Sequence, residues 1–472
     1  TTRFNKVNIL DFIPSDTADA SRKFRDDYWN HIFINYLIEN FPSIEYLPLN
    51  YPLNKNSKKK DFKIKLHNEI RKFSKLIFNQ SKNYLIKYLR GGENVFVITD
   101  PSLSLKSFLK LRLSLKGRTY YQPNFLSVKN YTHNIKYRSW ILPIDNSNSN
   151  FEITLRKMIP FFMPSIFLEG FERHNKNNPS IKKIPNIIFT SYKHISDDSF
   201  KIWASKFIDK GSKLIIGCHG GGVPLLFNDS KDFESEIANI LLVTGSKNNI
   251  YKNSYNVGQF WARLKYKTYN RKGGALIIGA IHPRYAIEIH SFAISSQMIR
   301  YFKDQFSFYN SLSKHIRENT KVRLYPNNYG WEEKQRWKDN CKEVQFANNQ
   351  ENFNLQIRKF RLLVATYNAT TFIEFLAANI PVIIFWDKEI WQCTNFAEED
   401  FQKLSEVGIF HTDYFSASNM INKIWDNVDN WWNSNNLQKV RQSFCKQYGD
   451  RDTNSTKNII SIFEQALDSR YK

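Results

Sequence analysis

Three turns in this 472-residue chain carry residue types and spacings that suit the binding of a charged group. The first is "GCHGGGVP", residues 217–224, directly after the apolar run "KLIIG". Gly220, Gly221 and Gly222 lack a Cβ, so backbone can approach a ligand closely and N–H groups can form an anion nest. His219 can add a hydrogen bond or move a proton. A tight strand-exit turn with an ordinary histidine would use the same residues, and the pattern is neither a Walker loop nor G-x-G-x-x-G. The second turn is "RLYPNNYGW", residues 323–331, with Arg323 read at a strand start and Tyr325 near its end. Arginine grips phosphate or carboxylate in a bidentate fork; the alternative is a surface turn on Pro326, Asn327 and Asn328.

The third turn lies in "TYNATTFIEFLAANIPVIIFWD", residues 366–387. Thr371 and Glu374 fit a capping box, each side chain satisfying a backbone N–H of the other. The same helix start can instead hold phosphate on its open N–H groups, with hydroxyls from Thr370 and Thr371 and with Glu374 accepting ribose hydroxyls. Spacing leaves cap and ligand evenly matched. A fourth candidate, Glu169, follows the apolar run "FFMPSIFL". A carboxylate at an apolar edge can have a raised pKa and act as a general acid or base.

Such turns need strands behind them. The β-branched and apolar runs at 95–99, 187–190, 213–217, 274–281, 321–326, 361–366 and 381–386 read as strands. Helical patterns alternate with them. Asp197 and Asp198 open one helix and Gly211 stops it, which makes a βαβ unit and a parallel sheet. The grammar restarts near residue 255 and ends in a helical, tryptophan-rich tail. Two α/β units are expected, 1–255 and 256–472, facing across a cleft. In open α/β sheets ligands sit beyond the carboxyl ends of the strands, where all three turns fall.

Composition narrows the partners. Sixty-eight Lys+Arg against 44 Asp+Glu leave a net charge of +24, which favours anionic ligands. Residues 55–90 read as a basic amphipathic helix, either packed on the core or touching an anionic membrane surface. No zinc-finger, helix-turn-helix, RNP or KH pattern occurs, so nucleic acid is not an expected partner. Four scattered cysteines make no C-x-x-C pair, no signal pattern opens the chain, and no run of about 20 apolar residues spans a bilayer. The expectation is a cytoplasmic protein, able to sit at the inner face of the membrane, with no metal and no cofactor.

Several segments resemble one family. "FLEGFE", "FTSYKHISDDSFKIWASKFIDKGSKLIIGCHGGG", "VRLYPNNYGW", "RLLVATYNATTFIEFLAANIPVIIFWD", "VGIFHTD" and "IWDNVDNWW" occur in order over roughly residues 160–450. They look like transferases of bacterial O-antigen and surface-polysaccharide gene clusters, related to the retaining β-Kdo glycosyltransferases (Kdo is 3-deoxy-manno-octulosonic acid). The resemblance implies a GT-B fold and transfer from a CMP-activated ulosonic acid to a glycan or lipid-linked glycan. It implies nucleotide contacts at Arg323, Tyr325, Thr370, Thr371 and Glu374. On the other side it implies His219 with its glycines, and Glu169 for the acceptor hydroxyl. Related enzymes use an aspartate in a double displacement that retains configuration. An ungapped match puts Asn239 at that position, and an amide is no carboxylate nucleophile.

Overall fold

The computed structural model describes residues 12–39, 96–99, 105–115, 119–122, 125, 131–145, 147–177, 184–218, 220, 225, 231–246, 251–259, 269–285, 292–451 and 454–467. Two six-stranded parallel sheets follow one another along the chain. The first contains β1 (Phe96–Ile98), β2 (Thr119–Tyr121), β3 (Ile187–Thr190), β4 (Lys213–Gly217), β5 (Ile240–Val243) and β6 (Ser254–Asn256), in the order β2-β1-β3-β4-β5-β6. The second contains β7 (Ala275–Ile278), β8 (Thr320–Arg323), β9 (Gln345–Phe346), β10 (Leu362–Ala365), β11 (Val382–Phe385) and β12 (Phe410–His411), in the order β12-β11-β10-β7-β8-β9. The strand order of the second sheet is that of a dinucleotide-binding α/β domain, reversing between β7 and β10.

Parallel strands are covered on both faces, so they read as unbroken apolar runs. In the first sheet, alternate residues divide between two cores. Phe96, Ile187, Phe189, Ile215 and Leu242 face one layer of helices; Val97, Ile188, Ile216 and Leu241 face Phe200 and Trp203 on the other side. Helix Asp198–Ile208 starts where expected, with the Asp197 carboxylate accepting the Phe200 N–H at 3.0 Å. Gly211 follows it at φ +94°, a conformation that favours glycine.

The division expected at residues 255 and 256 falls inside β6. The helical tail is also shared out differently. Helices Tyr414–Ile424 and Asn435–Tyr448 pack with the second unit. Helix Ser455–Leu467 returns to the first, where Phe463 stacks on Phe96 at 5.7 Å and meets Phe189 at 5.5 Å. Its apolar residues complete the first core, and that burial outweighs the short path to the nearer unit. Among the described residues, no helix is long and apolar enough to cross a membrane.

Candidate functional site

The carboxyl ends of β7 and β10 are tied by a buried polar network. The Thr366 hydroxyl lies 2.7 Å from the Tyr301 hydroxyl, which also accepts the Ala280 N–H at 2.9 Å. This fixes the backbone at the point where strand order reverses. Asn368, buried two residues further on, donates to the Leu225 carbonyl at 3.1 Å, a bond from the second unit to the first. Helix Thr370–Ala377 then begins with Ala369 at its N-cap, which makes no side-chain cap. The capping box expected at Thr371 and Glu374 is not built. A box needs Thr371 at the N-cap, but the helix starts at Thr370, which puts Glu374 beyond the first turn. The Thr371 hydroxyl sits instead 2.6 Å from the Tyr367 hydroxyl. Burial pushes Tyr367 up to about 12, so it stays protonated at neutral pH.

Arg323 ends β8 rather than starting it, because pairing with β7 already begins at Thr320. Its guanidinium donates to the Gln356 side-chain oxygen and lies 5.1 Å from the centroid of the Phe353 ring. Burial holds its pKa below the usual arginine value. Tyr325 lies past the strand, and its N–H donates to the Glu333 carboxylate at 3.1 Å. Burial raises the Tyr325 pKa, helped by neighbouring Tyr329. Glu333 was not singled out from the sequence, where it is the second of two adjacent glutamates. It is 6% exposed, and burial pushes its carboxyl to about 7 against the pull of the Tyr325 N–H. The loop between them holds three residues at positive φ, Tyr329, Gly330 and Glu332, a backbone kept in place by its surroundings.

From the first sheet, the turn after β4 meets this helix. A Cβ on Gly220 would stand 2.6 Å from the Thr370 hydroxyl oxygen, so any side chain there would displace that hydroxyl. Gly220 and Thr370, predicted separately, therefore sit together. His219, Gly221, Gly222 and the basic segment 55–90 lie outside the described residues.

Two expectations are overturned. Glu169 does not have a raised pKa. Burial does push it up, but hydrogen bonds from Arg138 and from backbone N–H groups outweigh this and hold it below the ordinary glutamate value. The pair is bidentate, at 2.8 Å from Arg138 Nε and 2.7 Å from a terminal nitrogen. Arg138 also donates to the carbonyls of Pro160, Phe161 and Met163, closing the end of helix Asn150–Phe162. Glu169 thus anchors a helix terminus. Asn239 lies at the wrong end of its sheet. It precedes β5, exchanging hydrogen bonds with Leu214 near the start of β4 (Leu214 N–H to the side-chain oxygen, 2.7 Å). The carboxyl end of β5 is four residues on, roughly 13 Å at about 3.3 Å per residue. Among the described residues, no three His, Cys, Asp or Glu side chains converge as a metal site.

Two successive parallel α/β sheets meet at their carboxyl-end turns, and a last helix crosses back to the first. This is the arrangement of a GT-B transferase. The family model for the LIC12162 family transferases matches residues 3–463, and the chain belongs to that family. No curated protein matches the sequence. In structure the chain is similar to the pneumococcal O-GlcNAc transferase GtfA, solved with UDP and GlcNAc (9% identity, 60% of this chain and 57% of that one, TM-score 0.38). It is also similar to the glycotransferase of kitacinnamycin (8%, 80% and 100%, TM-score 0.39) and to MurG of Acinetobacter baumannii (10%, 79% and 100%, TM-score 0.37).

Proposed function

We propose that the group transferred is a sugar, taken from a nucleotide-activated donor bound at the start of helix Thr370–Ala377. The observation that carries this is the helix start itself. It has no side-chain cap, stands at the strand-order reversal, and meets Gly220 of the first unit so closely that a Cβ there would displace the Thr370 hydroxyl. The helix N–H groups and the Thr370 and Thr371 hydroxyls hold the donor phosphate, where the helix dipole favours the negative charge that grows as the nucleotide leaves. Glu374 accepts ribose hydroxyls, with Arg323 and Tyr325 beside it. The acceptor enters from the first unit, along the turn that carries Gly220 and His219. A CMP-linked ulosonic acid such as Kdo suits the site best. It brings a phosphate and a carboxylate to a chain of charge +24, and the product extends a bacterial surface polysaccharide at the inner face of the cytoplasmic membrane. Asn239, at the amino end of β5, has no part in this reading.

Thermal shift with CMP, UMP, UDP and GDP tests this reading. A nucleotide at 100 times its Kd should stabilise the chain by about 2.7 kcal/mol, with CMP the strongest. A stronger response to UDP or GDP would move the donor to another class, and silence towards all four would end the transferase reading. Glu374→Ala should weaken the nucleotide at least about tenfold, the loss of a charge-assisted bond worth ~1.5–3 kcal/mol, well beyond its effect on the ligand-free Tm.

A further inference from the structure

An apolar cavity of about 330 Å³ opens between residues 24–33, helix Asn150–Phe162 and the loop after β7. Phe24, Trp29, Phe33, Met158, Phe162 and Tyr285 line it. Its floor is rigid. Trp29 stacks on Phe33 at 5.1 Å, and Phe162 meets both rings edge-on at 5.7 and 4.9 Å. At its wall the Asn30 amide donates to the Phe24 and Asp26 carbonyls and the Trp29 N–H to the Phe12 carbonyl. Ile159, which lines the cavity, is also exposed, as are Tyr28, Ile34 and Phe151 on the same two helices.

What lies between this cavity and the donor site identifies the occupant. Arg25 and Arg284 are the chain neighbours of the lining residues Phe24 and Tyr285. Both reach the loop that follows Tyr325. Arg25 lies 5.9 Å from the centroid of the Tyr329 ring, and Arg284 lies 5.6 Å from that of Trp331 and donates to the Gly330 carbonyl. Tyr329 in turn lies 6.2 Å from Tyr325. An apolar cavity, two guanidinium groups and the donor side therefore follow in sequence. Two carboxylates share this surface with the guanidinium groups: Asp27, 3.8 Å from Arg284 and more than half exposed, and Asp26, whose charge also acts on Tyr285; such exposed pairs are weak, so a phosphate can exchange for them. The order is that of an amphiphile: hydrocarbon, phosphate, then the sugar to be extended.

We infer that this cavity holds the hydrocarbon chain of a lipid-phosphate-linked acceptor, with Arg25 and Arg284 on its phosphate. The inference builds on the sugar-transfer reading, yet its test does not need transfer. Farnesyl phosphate, kept below its aggregation concentration, is the probe for the full chain, with farnesol, inorganic phosphate and anionic phospholipid vesicles as the other arms. Farnesyl phosphate should bind saturably, farnesol at least tenfold more weakly, and inorganic phosphate should not displace the probe. Leu155→Trp, which fills the cavity, and Ile159→Asp, at an exposed and fold-tolerant position, should each weaken farnesyl phosphate at least tenfold while nucleotide binding stays unchanged. Arg25→Gln with Arg284→Gln should erase the preference for the phosphate over the alcohol. Two results overturn the inference: no saturable binding by protein that still binds nucleotide, or equal binding by wild type and both cavity variants. Adsorption to vesicles without binding of the monomeric probe overturns it too, as simple surface attraction. If farnesyl phosphate binds as expected and no nucleotide does, the donor reading fails and the cavity stands.

Discussion

Glu169 and Glu333 are both almost buried carboxylates, one in each half of the molecule, and they are held in opposite charge states. Glu169 meets a buried guanidinium and stays ionised well below the usual glutamate range. Glu333 has one hydrogen bond among the described residues, from the Tyr325 N–H, and burial raises it to about 7. Burial is common to both, so burial does not mark a reactive group. The partner decides. A carboxylate that closes a helix end through arginine is structural, whereas one left nearly alone beside the donor-side loop can gain or lose a proton at neutral pH.

The largest effect should come from Glu169→Ala. It strands the Arg138 charge in the interior, and breaking a buried pair from one side costs about 3–5 kcal/mol, read as a fall in urea midpoint. Lost transfer at an unchanged midpoint would instead make Glu169 a chemical participant. Next comes Glu333→Gln. Folded Glu333 keeps its proton to about pH 7, while an unfolded glutamate releases it near 4.5. Between those values the folded state binds more protons, so this group's stability contribution is full below pH 4.5 and is lost as pH rises through 7. Glutamine removes that slope and should gain on the order of 1–3 kcal/mol at pH 8 but little at pH 4. Parallel urea curves for both proteins at the two pH values decide it. If the gain is the same at both, Glu333 titrates alike in the folded and unfolded chain and the contrast with Glu169 disappears. The smallest effect belongs to Asn239. Asn239→Asp keeps an acceptor for the Leu214 N–H and should leave transfer unchanged. Asn239→Ala should cost about 0.5–1 kcal/mol for the lost bond. A gain of transfer in Asn239→Asp would return that residue to the reaction.

Seven of the strands could be read from the sequence because buried parallel strands are written as local apolar runs; β2, β5, β6, β9 and β12 were not among the runs read. The runs at 187–190 and 213–217 match β3 and β4 to the residue, and the others lie within a few residues at their ends. The rule that ligands gather at carboxyl ends then pointed to the turns holding Gly220 and Thr370. The remaining features depend on long-range partners that no local pattern encodes. Arg138 lies 31 residues from Glu169, and Asn368 lies 143 residues from Leu225. Asn239 was misplaced for a related reason: an ungapped match does not say at which end of a strand a residue falls. Glu333 carried no signal, since only the folded chain removes water from it.

The return of helix Ser455–Leu467 to the first sheet makes the second unit, topologically, an insertion. Phe96 and Phe189 wait for Phe463, more than 270 residues downstream of the later of the two. Domains are usually completed from the N-terminus during synthesis. Here the first cannot close until the second has left the ribosome. Until then one face of β1 and β3 lacks part of its cover, and a nascent chain stalled or cleaved near residue 450 would expose apolar strand surface to its neighbours.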